Sequence, residues 1–422
     1  MKKKPRVLAS AYAFNPEGGP HLHPGEDIVG WRLVEQLSRF YYVWVITHSC
    51  NKPAVESSKK KGALPGVIIE YVRLPFNLRR IFYKLEIGQR VYYYIWQILA
   101  WRKARILHKR VGFDAAQHIT FNNDWIPSFI GAWLPVPFIW GPVGGGQRTP
   151  PAFYSGYKKR GRAADKVRLF GQWIGRNVLV SRRLCVRNAR AILVCNNETR
   201  DKMPPHVSPK VHFFPVNGIA EEDVSGPNGR NSGEFRVLSV GRMIHWKNFS
   251  SGIEAFGMFH ERHKGSRLTM IGYGPQREKL EALAEELGLE DSIKFVDWMA
   301  RQDLFDVMRA SDVFLHPALR EGGGAVVVEA MACGLPVVGL DNAGPGMHIS
   351  GGWGIKIKPQ SPSQIISEMT EALEKLHNDR ALRLRMGEAA LQRARSFYVW
   401  DRQGERLHGI IEGILAEDGA KA

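Results

Sequence analysis

Short apolar runs separated by amphipathic stretches set the pattern of this chain. RVLASAYAF (6–14), YVWVITH (42–48), GVIIEYVRL (66–74), FDAAQHIT (113–120), VPFIWGPV (136–143) and AILVCN (191–196) read as strands in the first half. FRVLSVGR (235–242), RLTMIGYG (267–274), IKFVDWM (293–299), VFLHPAL (313–319) and LPVVGLD (335–341) read as strands in the second. Between the later runs lie stretches such as PQREKLEALAEELGL (275–289), whose apolar residues recur at helical spacing. Strands alternating with helices predict parallel α/β sheets. The polar segment EEDVSGPNGRNSGE (221–234) interrupts the pattern, and the linker between two doubly wound domains falls just before or within it, near 215–234. In such sheets ligands sit at the carboxyl ends of the strands, beside helix N-termini. With two facing domains the natural site is the cleft between them.

Composition narrows the class. A chain of 422 residues has room for two or three domains with full cores, and 44% hydrophobic with 24% charged residues is an ordinary soluble profile. Cys50, Cys185, Cys195 and Cys333 have no CxxC spacing, so they are expected to be reduced thiols of a cytoplasmic protein rather than a disulfide frame or a zinc site. The start, MKKKPRVLASAYAFNPEGG, is only superficially like a signal peptide: its apolar part is short and ends in Asn15-Pro16-Glu17, as a first strand and loop would. No window offers about 18 uninterrupted apolar residues, so no transmembrane helix is expected.

Three stretches carry chemistry. In LSVGRMIHWKNF (238–249) a strand ends at Gly241, which allows close backbone approach, and Arg242 and Lys247 follow. Two cations at a strand end suit a diphosphate through charge-assisted hydrogen bonds, although a solvated loop with incidental basic residues has the same appearance. MIGYGPQREKL (270–280) is a strand, a Gly-x-Gly-Pro turn and a helix; Gly272 and Gly274 either offer backbone N–H groups to a ligand or simply make a tight turn. LREGGGAVVVEAMACGLPVVGL (319–340) reads as loop, helix and strand. Gly322, Gly323 and Gly324 leave the N–H groups at the helix start accessible to a phosphate, with Glu321 just before them. Glu329 lies within a helix apolar enough to be buried, where a carboxylate needs partners: sugar hydroxyls, backbone groups or a buried arginine.

The Glu-x7-Glu pattern from Glu321 to Glu329, followed by AMACGLPVVGLDNAGPGMHI, resembles the signature of glycosyltransferase family 4, a retaining family with the two-domain GT-B fold. VGRMIHWKN (240–248) resembles its diphosphate-binding segment, and MIGYGPQREKLEALAEELGLEDSIKFVDW (270–298) its next strands and helix. HPGEDIVGW (23–31) resembles the glycine loop after the first strand, and PFIWGPVGGGQ (137–147) a segment found in part of the family.

The resemblance implies a Rossmann-like acceptor domain over 1–216, a Rossmann-like nucleotide-sugar domain over 217–395, and a final helix over 396–422 that crosses back to the first domain. Arg242 and Lys247 would hold the donor diphosphate and stabilise the leaving nucleotide, and Glu329 would accept ribose hydroxyls. Glu321 would lie near the transferred sugar, and N–H groups around Gly324, Ala325 and Val326 would touch the distal phosphate and sugar. Gly25 would approach the diphosphate from the other domain, in competition with Gly18-Gly19. His118 matches a position where the family has a histidine facing the sugar, though a lone histidine at a strand end is more often structural. One departure stands out: Gly323 occupies a place where the family has an aromatic residue.

The chain has no Asp-x-Asp, the pair that other transferases use to hold a divalent ion on the diphosphate. Arg242, Lys247 and a helix N-terminus are expected to neutralise it instead, with no metal and no cofactor. The implied reaction moves a glycosyl group from a nucleotide-diphosphate sugar to a glycan or lipid-linked acceptor hydroxyl, with retention, in polysaccharide or lipid-linked glycan synthesis. Uridine and guanosine donors both occur in the family. A catalytically silent relative of such enzymes is a rival reading.

Charge adds one expectation. Residues 1–200 carry 33 Lys and Arg against 11 Asp and Glu, whereas residues 201–422 carry 26 against 30, for a net +18 overall. Two stretches of the basic half, 78–110 and 157–190, mix cations with aromatics and suit the surface of an anionic bilayer at the inner face of the cell membrane. Alternatively they are solvated helices whose aromatics pack on the sheet. A basic, aromatic-rich half could also bind nucleic acid, but no RNA-binding motif is present, and no nucleic-acid partner is expected.

Overall fold

The computed structural model describes residues 4–18, 24–74, 82, 86–121, 123–156, 159–228 and 233–420. Gly19 and His23, parts of both basic stretches (78–81, 83–85 and 157–158) and part of the linker (229–232) lie outside them.

Among these residues the first sheet is parallel with strand order β3-β2-β1-β4-β5-β6-β7. Its strands are β1 Arg6–Ser10, β2 Tyr42–His48, β3 Ile68–Val72, β4 Ala115–His118, β5 Phe138–Val143, β6 Ala189–Val194 and β7 Val211–Phe213. The second sheet, also parallel, has the order β10-β9-β8-β11-β12-β13. It comprises β8 Phe235–Val240, β9 Ser266–Ile271, β10 Ile293–Val296, β11 Val313–His316, β12 Val337–Leu340 and β13 Gly354–Ile357. The sequence reading did not find β7 or β13. Each is short and lies at a sheet edge, and their sequences VHF and GIKI place polar or charged residues among few apolar ones.

The apolar runs become central strands because both sheet faces are covered. In β1, Val7 and Ala9 join one buried cluster with Val34 and Leu37 of the helix Pro24–Phe40, while Leu8 faces the other with Trp96 and Trp140. Successive side chains of a strand alternate between faces, so a run buried on both sides must be apolar throughout. The helix Trp400–Gly419 returns to the first domain, where Leu407 and Ile411 enter the Val7 cluster and Gln36 donates to Asp401 at 3.1 Å.

The two basic stretches differ. In the helix Glu86–Val111, Tyr92, Tyr93, Trp96, Ala100, Ala104 and Leu107 are all buried against the sheet, so this helix covers the core. In the helix Lys159–Asn177, Val167, Phe170 and Trp173 are 60%, 63% and 56% exposed. No helix among the described residues is long and apolar enough to cross a membrane.

Contacts tie the two domains together. Phe153 inserts into the core cluster of the second domain with Phe249 and Leu315. Asp165 pairs with Arg320, whose guanidinium lies 4.4 Å from the Trp246 ring centroid. Inside the first domain, fully buried Asp124 takes a two-point bond from Arg176, Nε to Oδ2 at 2.5 Å and Nη2 to Oδ1 at 2.9 Å.

Candidate functional site

The strand order reverses between β8 and β11, and crevices of open α/β sheets form at such a switch point. The loops after these two strands carry the candidate residues. After β8, the Gly241 N–H donates to Ile271 O at 2.9 Å, which fastens the loop to the end of β9. Gly272 and Gly274 have a packing role here: a Cβ at Gly272 would stand 2.0 Å from Gly241 O, and one at Gly274 2.5 Å from Met243 O. The two loops can lie this close only without side chains.

Lys247 folds back beside Gly241, and its Nζ lies 2.7 Å from Glu321 Oε2. The same oxygen accepts from His316 Nε2, also at 2.7 Å. Side-chain exposure is 11% for Lys247, 20% for Glu321 and 1% for His316, so this array is largely shielded from water. Burial alone would raise the Glu321 pKa, but the Lys247 ammonium and His316 hold it well below the usual carboxylate range. Burial lowers the His316 pKa despite the neighbouring carboxylate. A neutral His316 donates from Nε2, and its buried Nδ1 has no hydrogen-bond partner. His316 closes the run VFLH, five residues before Glu321; sequence reasoning treated it only as part of a strand. Arg242 is exposed and makes no ion pair among the described residues.

The three glycines form the turn into the helix Ala325–Ala332. Gly324 is its N-cap at φ 65°, and Ala325 and Val326 sit in the first turn, exposed and half-buried respectively. Their N–H groups belong to the helix start, which has no side-chain cap. The carbonyls of Gly322 and Gly323 are engaged elsewhere: Gly322 O accepts from Asn196 Nδ2 at 3.1 Å, and Gly323 O from His348 Nε2 at 2.5 Å. Asn196 belongs to the first domain, so the opposite domain grips this loop.

The unusual Gly323 also has a packing cause. A Cβ there would lie 2.3 Å from Val216 Cγ1 and 2.4 Å from Asn217 Nδ2, both in the segment joining the domains. An aromatic residue would collide with that segment. Gly323→Phe is therefore expected to lower stability by about 1–3 kcal/mol through overpacking, read as a shift in the thermal midpoint.

Glu329 is half-buried rather than sealed in the core. Arg301 Nη1 reaches its Oε1 at 2.7 Å, and Arg301 Nη2 reaches Asp223 Oδ2 at 3.0 Å. Of the partners open to this carboxylate on sequence grounds, an arginine is present, but a 55% exposed one at the domain surface. Arg301 carried no signal in the sequence, since only the fold brings it near.

From the first domain, Gly25 lies in the exposed first turn of the helix Pro24–Phe40, and a Cβ there would meet nothing within 4 Å. His118 is placed differently from a sugar-facing histidine. It is 1% exposed; Nδ1 bonds Ser128 Oγ at 2.9 Å, and Nε2 lies 2.7 Å from Tyr93 Oη and 3.1 Å from Thr120 O. Both ring nitrogens are spent on groups of its own domain. The first domain meets the glycine loop instead through Asn196 and through Gln147, whose Nε2 would be 3.6 Å from a Cβ on Gly322, and it meets the neighbouring helix Ala343–His348 through Glu198, which accepts from Ala343 N at 2.6 Å.

Burial lowers the pKa of both His118 and His348 from 6.5 to about 4. In the unfolded chain these rings take up protons near pH 6.5; in the folded chain they resist until about pH 4. Their contribution to stability is complete above the unfolded value and is lost as pH falls through the folded one. The thermal midpoint should therefore decline from pH 6.5 towards pH 4, less steeply in His118→Gln. A flat profile over this range would contradict the assignment of neutral, buried rings.

The architecture is that of the GT-B glycosyltransferases: two facing parallel α/β domains with the candidate loops at the cleft. Sucrose-phosphate synthase from Thermosynechococcus elongatus shares it with a TM-score of 0.66 over 98% of this chain and 100% of that one, at 18% identity. Anabaena Alr3699/HepE in complex with UDP and glucose shares it with a TM-score of 0.61 over 97% and 99%, at 14% identity. Residues 221–393 match the family model for glycosyl transferases group 1, and the chain carries a domain of that family. A D-inositol 3-phosphate glycosyltransferase of Corynebacterium jeikeium (strain K411) is 33% identical over 183 residues, 42% of each chain. The matched stretch thus spans less than half of that relative.

Proposed function

We propose that the chain transfers a glycosyl group from a nucleotide-diphosphate sugar to an acceptor hydroxyl, with retention of configuration and without a metal, in polysaccharide or lipid-linked glycan synthesis. The observation that carries this reading is the array of Lys247, Glu321 and His316 at the switch point, with exposed Arg242 on the same loop as Lys247 and without an ion pair among the described residues, and the helix Ala325–Ala332, which has no side-chain cap, following the glycine loop. Cations and helix N–H groups at one crevice are suited to a diphosphate and to the charge that develops as it leaves. Lys247 and Arg242 stabilise the departing nucleotide. Glu321, held ionised by its two neighbours, accepts hydroxyls of the transferred sugar and is itself positioned by His316. No carboxylate is assigned as nucleophile; the departing phosphate assists the incoming hydroxyl on the same face. The acceptor is a glycan or a lipid-linked saccharide, reached from the cytoplasmic side by peripheral contact with an anionic membrane.

Glu329 is assigned to the donor ribose, with Arg301 on Oε1 leaving Oε2 for hydroxyls. Hydrogen bonds to a charged group are worth about 1.5–3 kcal/mol, so Glu329→Ala should weaken nucleotide binding by about 10- to 100-fold with little change in kcat. Isothermal titration with UDP and GDP checks this. The function itself is tested by thermal-shift screening against nucleotide sugars in the presence of a chelator: a donor at 100 times its Kd adds about 2.7 kcal/mol of stability. Stabilisation by none of the uridine or guanosine sugars would sink the reading.

A further inference from the structure

The first domain holds a second concavity, outside the loops that carry the candidate donor site. It has a volume of about 710 Å³ and lies between the helices Lys159–Asn177 and Val180–Asn188 and the segment around Lys202–His206. Arg148, Arg183, Arg187, Lys202 and His206 line it, and Asp201 is its one acid among the described residues. Asp201 is already paired with Arg200 at 3.2 Å. The side chains of Arg148, Arg187, Lys202 and His206 have no hydrogen-bond or ion-pair partner among the described residues. Two other lining arginines are engaged by Asp124: Arg176 pairs with its carboxylate, and Arg182 Nε donates to Asp124 O at 3.1 Å. Several unpaired cations around one cavity repel one another unless an anion enters. Guanidinium groups in particular match the oxygens of a phosphate.

Two further observations select the kind of anion. Trp173 forms one wall, and it continues into an exposed apolar strip with Phe170, Val167, Val178 and Val180, the last two 55% and 65% exposed. Phe170 and Trp173 stack at 6.3 Å. A soluble phosphate ester has no use for such a strip, whereas a lipid pairs an anionic head with an apolar tail. The cavity also adjoins the cleft: Arg148 follows directly on Gln147, the residue that approaches Gly322 of the glycine loop.

We propose that this cavity binds the phosphate or diphosphate group of a membrane lipid, with the strip Val167–Val180 seated in the bilayer interface. This deepens the peripheral contact named above and localises it to the helices Lys159–Asn177 and Val180–Asn188 rather than to Glu86–Val111, whose Tyr92, Tyr93 and Trp96 are buried and whose Tyr94 and Trp101 are partly buried against the core. A lipid held here presents its head towards the cleft from the acceptor side.

The test is flotation of the full chain with vesicles of phosphatidylcholine alone or containing phosphatidylglycerol, with UDP and GDP binding measured in parallel. The chain should bind the anionic vesicles and not the neutral ones, more weakly as salt rises. Arg183→Glu/Arg187→Glu and, separately, Phe170→Ser/Trp173→Ser should each weaken vesicle binding by about tenfold or more. Nucleotide binding should be unchanged in both, which separates a failure here from a failure of the donor assignment. Vesicle binding that persists in both double variants overturns the proposal. So does stabilisation by inorganic pyrophosphate without vesicle binding, which would mark a site for soluble phosphates. Equally decisive against it would be RNA binding lost in the arginine variant but indifferent to Phe170 and Trp173.

Discussion

Lys247→Ala should lower turnover by about 10²–10³, the loss typical when a group stabilising developing charge is removed. The ammonium is 11% exposed, beside Gly241 and 2.7 Å from Glu321, and among the described residues no other Lys or Arg pairs with that carboxylate. Arg242, exposed on the loop, leaves part of the diphosphate held, and nucleotide binding should fall less than kcat. Removing Lys247 also leaves Glu321 with His316 alone, which could lower activity by destabilising the loop rather than the transition state. The double variant Lys247→Ala/Glu321→Ala separates the two. It should restore the thermal midpoint while turnover stays low. Near-normal turnover in Lys247→Ala would remove the residue from the mechanism.

The largest effect on stability is expected at Asp124. Removing one partner of a buried ion pair costs about 3–5 kcal/mol, because the other charge stays buried without compensation. In Asp124→Ala, Arg176, 10% exposed, loses both of its bonds to the carboxylate. Unfolding in urea measures the loss. The double variant Asp124→Ala/Arg176→Ala should recover part of it, since Arg176 is then no longer left unpaired, while Arg182, 4% exposed, still lacks the nearby carboxylate. The effect should extend to the loop Gly144–Gln147, because Asp124 N donates to Gly144 O at 2.9 Å and a Cβ on Gly145 would sit 2.9 Å from Asp124 Oδ1.

The fold was readable where burial demands it. Strands covered on both faces must be apolar throughout, which is why β1, β5 and β12 stand out as runs, while edge strands β7 and β13 do not. Residues of the site that follow one another along the chain were readable too: Gly241, Arg242 and Lys247 after β8, and Glu321 to Glu329 after β11. Partners brought in from elsewhere were not. Arg301 reaches Glu329 from another helix, Asn196 reaches the glycine loop and Glu198 the helix Ala343–His348 from the other domain, and neither spacing nor residue type announces them. His118 shows a different limit of sequence reading. A histidine at a strand end near the first domain's switch point has the right address for a ligand. The contacts of its ring with Tyr93, Ser128 and Thr120 come from the fold and were not readable in the sequence. Gly323, odd as a sequence feature, is explained by the linker residues packed on it.

The central claim is that the crevice between β8 and β11 binds a nucleotide diphosphate through Lys247 and Glu329 without a metal. Isothermal titration of the chain with UDP and with GDP in excess EDTA tests it most directly. The account predicts saturable one-to-one binding of one of the two nucleotides, weakened in both Lys247→Ala and Glu329→Ala. Absence of binding by either nucleotide, or binding indifferent to both substitutions, would contradict it.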